Sequence, residues 1–504
     1  MRVLLDTNVL IHREASTVVR GDIGNVFNWL DKLKHEKCAH PVSLSEIEKH
    51  EDEKVRNSFH AKLQSYNILK TTAPMSAGAA QFAATDKSEN DRNDTIIVNE
   101  VVANRVDILI TEDRGVHTKA AFLGIADRVF TLDAFLEKVT AENPSLVDYK
   151  VLAVKKTVFG ATNITAEFFE SFRQDYGGDA FDRWFAHKAD ETAYVCHQGN
   201  DLVAFLYLKV EGVEENYSDI EPRFAAKRRL KIGTFKVEMN GFKLGERFLK
   251  IIFDNALRQN VEEIYVTIFP STAGQQRLVK LLQDFGFVEH GTKTGAYGKE
   301  LVLVRSMQRS FDANAPALTF PIVSLGTRAF IVPIWPDFHT SLLPDSILRT
   351  ESPADFVEQF PHRNAIRKVY ISRSIKRDLR RGAAIVFYRT GGLYKSVVTT
   401  VGIVENVTVN IRDAAHFISL CRKRSVFSDK ELMEWWDYKR YNRPFIVEFL
   451  YAYSFTKRPN MKELIEHGII RDITSAPQGF EPLTKEQFRT ILRLTQADPR
   501  GFVN

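Results

Sequence analysis

From its first residues the chain sets short apolar runs between stretches whose apolar positions recur every three or four residues. Val3–Leu5, Asp107–Ile110 and Arg128–Thr131 have the length and composition of buried strands. Asn25–Lys34, Ser43–Leu69 and Asp94–Ala103 carry the helical period, and Val9, Leu10 and Ile11 open a helix just past the first strand. Strands alternating with helices predict a parallel, doubly wound α/β sheet over residues 1–145. Met75–Thr85, rich in small residues, is expected to be a flexible loop inside it.

The pattern changes twice further on. Over residues 150–310 a helix at Ala166–Tyr176 precedes strands at Thr192–His197, Asp201–Val210 and Leu230–Met239. A helix at Gly245–Arg258, a strand at Glu263–Phe269, a helix at Ala273–Asp284 and a strand at Lys299–Val304 follow. This predicts a mixed α/β domain whose central strand feeds a helix through a short loop. After a linker at Asp312–Pro316, residues 318–504 are strand-rich and basic, with strands expected at Ala329–Val332, Ala384–Tyr388, Ser396–Val407 and Phe445–Phe455. The expected class is therefore multidomain α/β.

Composition narrows the function classes. At 504 residues, 44% hydrophobic and 26% charged, the chain suits several soluble domains. No apolar stretch approaches the roughly 20 residues that span a bilayer, and no secretory leader is apparent. Three scattered cysteines, Cys38, Cys196 and Cys421, fit a reducing cytoplasm and argue against a zinc ribbon or a catalytic thiol. The net charge of +5 is small, so clustering decides whether nucleic acid is a partner.

Acids mark the first segment. Asp6 follows the first strand and Asp113, in "ILITEDRGVH", follows another, where doubly wound sheets gather functional groups. Glu46, in "SLSEIEKH", and Asp94, in "NDRNDTIIVNEV", begin or lie on helices, and Asp91 competes with Asp94 for the third place. Singly, each has an ordinary role as a cap, a turn residue or a solvated charge. Together such acids repel one another unless a hard divalent cation neutralises them. Histidines His35, His40, His50 and His60 form no metal-binding pattern.

With "LLDTNVLI", "SEIEKH", "NDRNDTIIVNEV" and "LITEDRGVHTKAAFLGI", the segment resembles the PIN-domain nucleases over about residues 1–140. The resemblance implies that Asp6, Glu46, Asp94 and Asp113 ligate Mg²⁺ or Mn²⁺ for hydrolysis of RNA, with Asn8 orienting a ligand. A haloacid-dehalogenase phosphatase also opens with strand and Asp, but needs a second Asp where Asn8 stands.

In the middle segment, "KVEMNGFKLGERFLKIIFDNALRQ" sets a glycine-containing loop between strand and helix, a backbone cradle suited to pyrophosphate. This arrangement resembles the GNAT acyltransferases over about residues 155–308. The resemblance implies acetyl-CoA held around Phe242, Lys243, Leu244, Gly245 and Glu246. Two departures stand out. Lys243 replaces the family's first glycine, and Leu282 occupies the place of its usual general-acid tyrosine, for which Tyr265 and Tyr297 are candidates. The nearby "GAYGK" is no phosphate loop, because Glu300 stands where Ser or Thr is needed.

The last segment carries eight Lys or Arg between Arg363 and Arg381 against one acid. "CRKRSVFSDKELMEWWDYKRYNRP" interleaves further basic residues with Trp435, Trp436, Tyr438 and Tyr441. Basic groups neutralise phosphates and aromatics stack on unpaired bases, so Arg373, Lys376, Arg377, Arg380, Arg381, Arg422, Lys423 and Arg424 are expected nucleic-acid contacts. "KVYISRSIKRDLRRGAAIVFYRTGG" and "LTKEQFRTIL" resemble the ASCH/EVE branch of PUA-like domains over residues 320–495, which implies a small β-barrel with helices.

The joint expectation is a cytoplasmic, metal-dependent ribonuclease that also carries an acetyl-CoA-binding domain and an RNA-binding domain. The alternatives are an N-acetyltransferase acting on tRNA, other RNA or protein, and a non-enzymatic RNA-binding scaffold. The resemblances suit a toxin-like or stress-response factor of bacterial type. Its partners would be tRNA or mRNA, an acyl acceptor, an antitoxin or regulatory protein, and further copies of the chain.

Overall fold

The computed structural model describes residues 1–15, 21–132, 134–135, 139, 154–198, 200–238, 243–346, 361–393 and 395–504. Its chain divides into two compact units, one formed by residues up to Val147 and the other by almost all of the rest. The molecule is multidomain α/β, with both parallel and mixed sheets.

The first unit is built on five parallel strands: β1 (Arg2–Leu5), β2 (Glu36–Ala39), β3 (Asn67–Ile68), β4 (Ile108–Ile110) and β5 (Val129–Phe130). Their order is β3-β2-β1-β4-β5, with β1 central. Val3, Leu4 and Leu5 are wholly buried, as a strand covered on both faces requires. Helix α1 (Thr7–Ala15) follows β1 at once and buries Val9 and Leu10. Further helices are α2 (Gly21–Lys32), α3 (Pro41–Glu48), α4 (Glu53–Lys62), α5 (Ala77–Ala83), α6 (Glu89–Val102) and α7 (Arg114–Phe122).

Two expectations are corrected here. The single helix expected over Ser43–Leu69 is α3, α4 and the short strand β3. The break between the helices is held by the Arg56 guanidinium, which donates to the carbonyls of His50 and Glu51. The supposed loop at Met75–Thr85 contains α5, capped by the Ser76 hydroxyl on the Ala79 amide at 3.3 Å. Alanine favours helix, and the small side chains let α5 pack closely beneath Leu123.

The second unit holds two larger sheets. One has eight strands: β6 (Lys155–Val158), β7 (Thr192–Gln198), β8 (Asp201–Glu211), β9 (Ile220–Glu221), β10 (Arg229–Val237), β11 (Glu263–Ile268), β12 (Val288–Gly295) and β13 (Gly298–Ser306). Their order is β6-β7-β8-β10-β11-β13-β12-β9, and only β10 and β11 pair in parallel. That pairing covers Arg229–Ile232 against Glu263–Val266, after which the two strands part. A bulge at the same level, between Ile232 and Thr234, surrounds Gly233, where a Cβ would meet the Tyr207 ring at 2.6 Å.

Further strands are β14 (Val323–Ser324), β15 (Ala329–Ile334), β16 (Arg367–Ser372), β17 (Ala384–Arg389), β18 (Val397–Thr408), β19 (Phe445–Ser454), β20 (Glu481–Leu483) and β21 (Phe502–Val503). β14 pairs with β21, and the rest form a sheet ordered β16-β19-β18-β17-β15-β20. Among the described residues no ladder joins its outer strands β16 and β20. β16 was hidden in the sequence by its charges: Lys368 is fully buried within it, its ammonium donating to the carbonyls of His362 and Arg363. Among the described residues no helix is long and apolar enough to cross a membrane.

Candidate functional site

The expected acids meet at the carboxyl edge of the first sheet. Asp6 leaves β1 with its amide donating to the Ile110 carbonyl at 3.1 Å, which ties it to the end of β4. Its carboxylate accepts from the Thr7 amide at 2.7 Å and from the Thr111 hydroxyl at 2.6 Å. Glu46, on α3, accepts from the Thr7 hydroxyl and from Asn93 Nδ2 at 2.6 Å. Asp113 caps α7, accepting from the amides of Gly115 and Val116 at 2.6 and 3.1 Å. Asp94, on α6, takes no hydrogen bond among the described residues.

Electrostatics link these four carboxylates. Burial pushes the Asp94 carboxyl up to about 7, and Asp113, Asp6 and Glu46 add to the effect while Lys119 opposes it. The Asp6 carboxyl is raised too, chiefly by burial, against the hydrogen bonds from Thr111 and Thr7 and with the help of Glu46 and Asp113. Asp91 belongs elsewhere. It closes a capping box with Ser88 at the start of α6, and those hydrogen bonds hold its carboxyl low. Asp94, not Asp91, shares the field of the other three.

The donor set suits a hard cation, and Asn8 Oδ1 is buried there without a hydrogen-bond partner. Among the described residues no three His, Cys, Asp or Glu side chains are gathered closely enough to hold a metal ion.

Several supporting residues escaped the sequence reading. Thr7 and Thr111 orient Asp6, and the motifs "LLDTN" and "LITED" that contain them were the available signal. Lys119, nearly buried, donates to Asp86 at 3.0 Å, Thr95 at 2.7 Å and the Asp91 carbonyl at 2.5 Å, pinning the first turn of α6. Nothing in the sequence joins Lys119 to Asp86. A Cβ at Gly115 would lie 3.0 Å from Asp113 Oδ1 and 3.9 Å from Asp94 Oδ2, so glycine keeps the space beside them open.

In the second unit the expected pyrophosphate loop divides. Phe242 lies outside the described residues. Lys243 precedes the helix Leu244–Arg258 with φ +56°, a left-handed conformation that glycine holds without strain. Leu244 is buried, and a Cβ on Gly245 would touch Leu281 at 3.0 Å. Glu246 faces inward, accepting from the amides of Ile366 and Arg367 at 2.8 and 3.1 Å. Burial raises its carboxyl, but Lys243 and the Arg367 amide outweigh that and hold it below the ordinary carboxylate range.

The tyrosine candidates fall in different places. Leu282 is core, Tyr265 is buried and donates to Glu211 at 2.7 Å, and Tyr297 is exposed. Near the end of β11, Tyr176 and Thr267 both donate to the buried Glu300, at 2.6 and 2.9 Å. All three cysteines are buried as free thiols.

The expected nucleic-acid residues are largely engaged within the protein. Arg373 donates to the carbonyls of Asn442 and Trp435, and Arg377 to Asn442 Oδ1 and the Arg443 carbonyl. Lys376, Arg422 and Arg424 pair with Glu481, Asp429 and Glu448, and Lys423 is buried. Arg381 donates to the carbonyls of Glu405 and Asn314, while Arg380 is exposed.

No family model and no curated protein matches the chain. It is similar in part to solved acetyltransferase structures. An N-acetyltransferase from Staphylococcus aureus Mu50 is 15% identical, with 31% of this chain and 97% of that one covered and a TM-score of 0.21. The aminoglycoside acetyltransferase AAC(6')-Ib with coenzyme A and kanamycin is 15% identical, covering 31% and 96%, at 0.24. Arabidopsis thaliana NAA60 with acetyl-CoA is 13% identical, covering 31% and 99%, at 0.22.

Proposed function

We propose that the first unit is a divalent-metal-dependent phosphodiesterase acting on RNA, the activity its likeness to PIN-type nucleases implies. The observation that carries the reading is the shared surroundings of Asp6, Glu46, Asp94 and Asp113, where burial first, and then the charges of the other three, raise the Asp94 carboxyl to about 7. Mg²⁺ or Mn²⁺ would be held once these four carboxylates, which are not gathered closely enough for it as they stand, close on the ion, and Asn8 Oδ1 offers one more oxygen. When bound, such an ion supplies an activated water and neutralises charge on the scissile phosphate. The chain's own part is positional. Thr7 and Thr111 fix the Asp6 carboxylate, and Lys119 fixes the turn that presents Asp94.

The test is Mn²⁺-dependent cleavage of RNA by the full chain. Asp6→Asn and Asp113→Asn are each expected to reduce cleavage to background with an unchanged melting curve. Full cleavage by either variant overturns the reading.

A second reading concerns the second unit, and the parting of β10 and β11 beside a helix N-terminus favours it. We propose that this opening admits acetyl-CoA, for transfer to an acceptor on RNA or protein. Oxygen acceptors on the pyrophosphate would meet amides at the start of the helix, near Lys243 and Gly245. Calorimetric titration with coenzyme A tests it. Gly245→Glu should abolish binding that Asp6→Asn leaves intact, and no heat with the parent chain overturns it.

A further inference from the structure

Two turns in the second unit are locked together and lift an aromatic, basic tip into solvent. One is residues 373–377 after β16, and the other is residues 438–443 before β19. Asn442 bonds them from both sides, donating to the Arg373 carbonyl at 3.0 Å and accepting from Arg377 at 2.6 Å. The Arg373 guanidinium lies 5.5 Å from the Trp435 ring and 5.3 Å from the Tyr438 ring. These arginines, expected to touch phosphate, instead form the rigid base of the tip.

What the base presents is unusual for a solvated surface. Tyr441 is 86% exposed, Tyr438 60% and Ile375 93%, all on the two joined turns. Lys439 and Arg440 flank the tyrosines and are exposed as well, with Lys376 on the neighbouring turn. Asp437, which precedes the turn, pairs with Arg440 at 3.4 Å and with Arg443 at 3.9 Å, and Glu481 pairs with Lys376. Basic side chains therefore exceed acids around the exposed rings. Solvent-exposed planar rings beside ammonium and guanidinium groups match a ligand with π-faces joined by anionic links.

We propose that this double turn is a binding site for single-stranded nucleic acid. Tyr441 and Tyr438 stack on successive bases, Ile375 covers an adjacent apolar face, and Lys439 and Arg440 meet the phosphates. A duplex hides its π-faces, so it engages only the charges. RNA and DNA single strands share the recognised chemistry, and the experiment compares them.

The measurement is fluorescence anisotropy with the full chain and labelled oligouridylate or oligothymidylate of about 20 nucleotides, plus a duplex of equal length. Chelator is present throughout, so the result is independent of the metal site. Single strands are expected to bind more tightly than duplex. Tyr441→Ala should weaken binding about ten-fold, and Tyr441→Trp should retain it. Arg440→Gln should reduce the slope of log affinity against log salt by about 0.7. All these side chains are exposed, and an unchanged melting temperature checks that each variant folds. Equal affinity of Tyr441→Ala and the parent overturns the proposal, as does duplex binding as tightly as single strand. Failure of the parent to bind either strand, the result expected of a protein-docking patch, overturns it too.

Discussion

Asp94 concentrates the physics of the first unit in one side chain. Its carboxyl is raised to about 7 by burial and by Asp113, Asp6 and Glu46, so the folded state retains a proton that the unfolded chain has released. The sign follows from linkage: where the folded state binds more protons, stability falls as pH rises. Without metal, the melting temperature should therefore decline between about pH 4 and pH 7. Asp94→Asn should flatten that decline, and Mn²⁺ should reverse it for the parent chain but not for Asp6→Asn. Scanning calorimetry across that range checks all three outcomes. Gly115 offers a second residue-level test. Gly115→Val, which fills the space beside Asp113 and Asp94, should lower Mn²⁺ affinity measured by calorimetry more than Gly115→Ala does.

Helix Leu244–Arg258 shows how an element's surroundings reassign its residues. Gly245 and Glu246 sit where an anion-binding turn is expected, but the Glu246 carboxylate is turned to the backbone amides of Ile366 and Arg367. It is a buried structural anion. Glu246→Ala leaves those amides unpaired and should cost about 2–3 kcal/mol in urea denaturation. Glu246→Gln keeps one acceptor and should cost less. The same helix places Arg247 against Asp345 at 2.7 Å, and that guanidinium holds the Asp345 carboxyl low against burial.

At the scale of the whole molecule, the two sheets of the second unit share one interior. Phe320 packs edge-on against Phe253 and Phe285, Arg305 donates to the Phe320 carbonyl at 3.1 Å, and the Arg367 guanidinium covers the Phe285 ring. Cutting the chain at the linker Asp312–Pro316 uncovers those rings and takes the Ile366 and Arg367 amides from Glu246 and Asp345 from Arg247. A fragment ending there should lose cooperative melting by circular dichroism, although its sheet pattern is legible as a separate domain.

Much of the architecture was written locally. Short apolar runs, or apolar positions in alternation as in β10, with helical periods between them are enough to place β1, β4 and β5, the long strands β8, β10, β18 and β19, and the helices that follow, because burial demands those patterns. β2, β3 and β16 escaped, since two- to six-residue strands carrying Glu36, Lys37 or Lys368 look polar until neighbours bury them. The four acids were legible one by one, and their placement after strands or on helices pointed to one edge. Their mutual field, the choice of Asp94 over Asp91, and the roles of Thr111 and Lys119 were not. Sequence by itself determined which carboxylates follow strands or lie on helices, because an unpaired charge is costly inside an apolar strand. Only the tertiary structure decided which of them share a field, which arginines are scaffold and which face water, because desolvation and Coulomb interaction depend on distances between residues far apart in the chain.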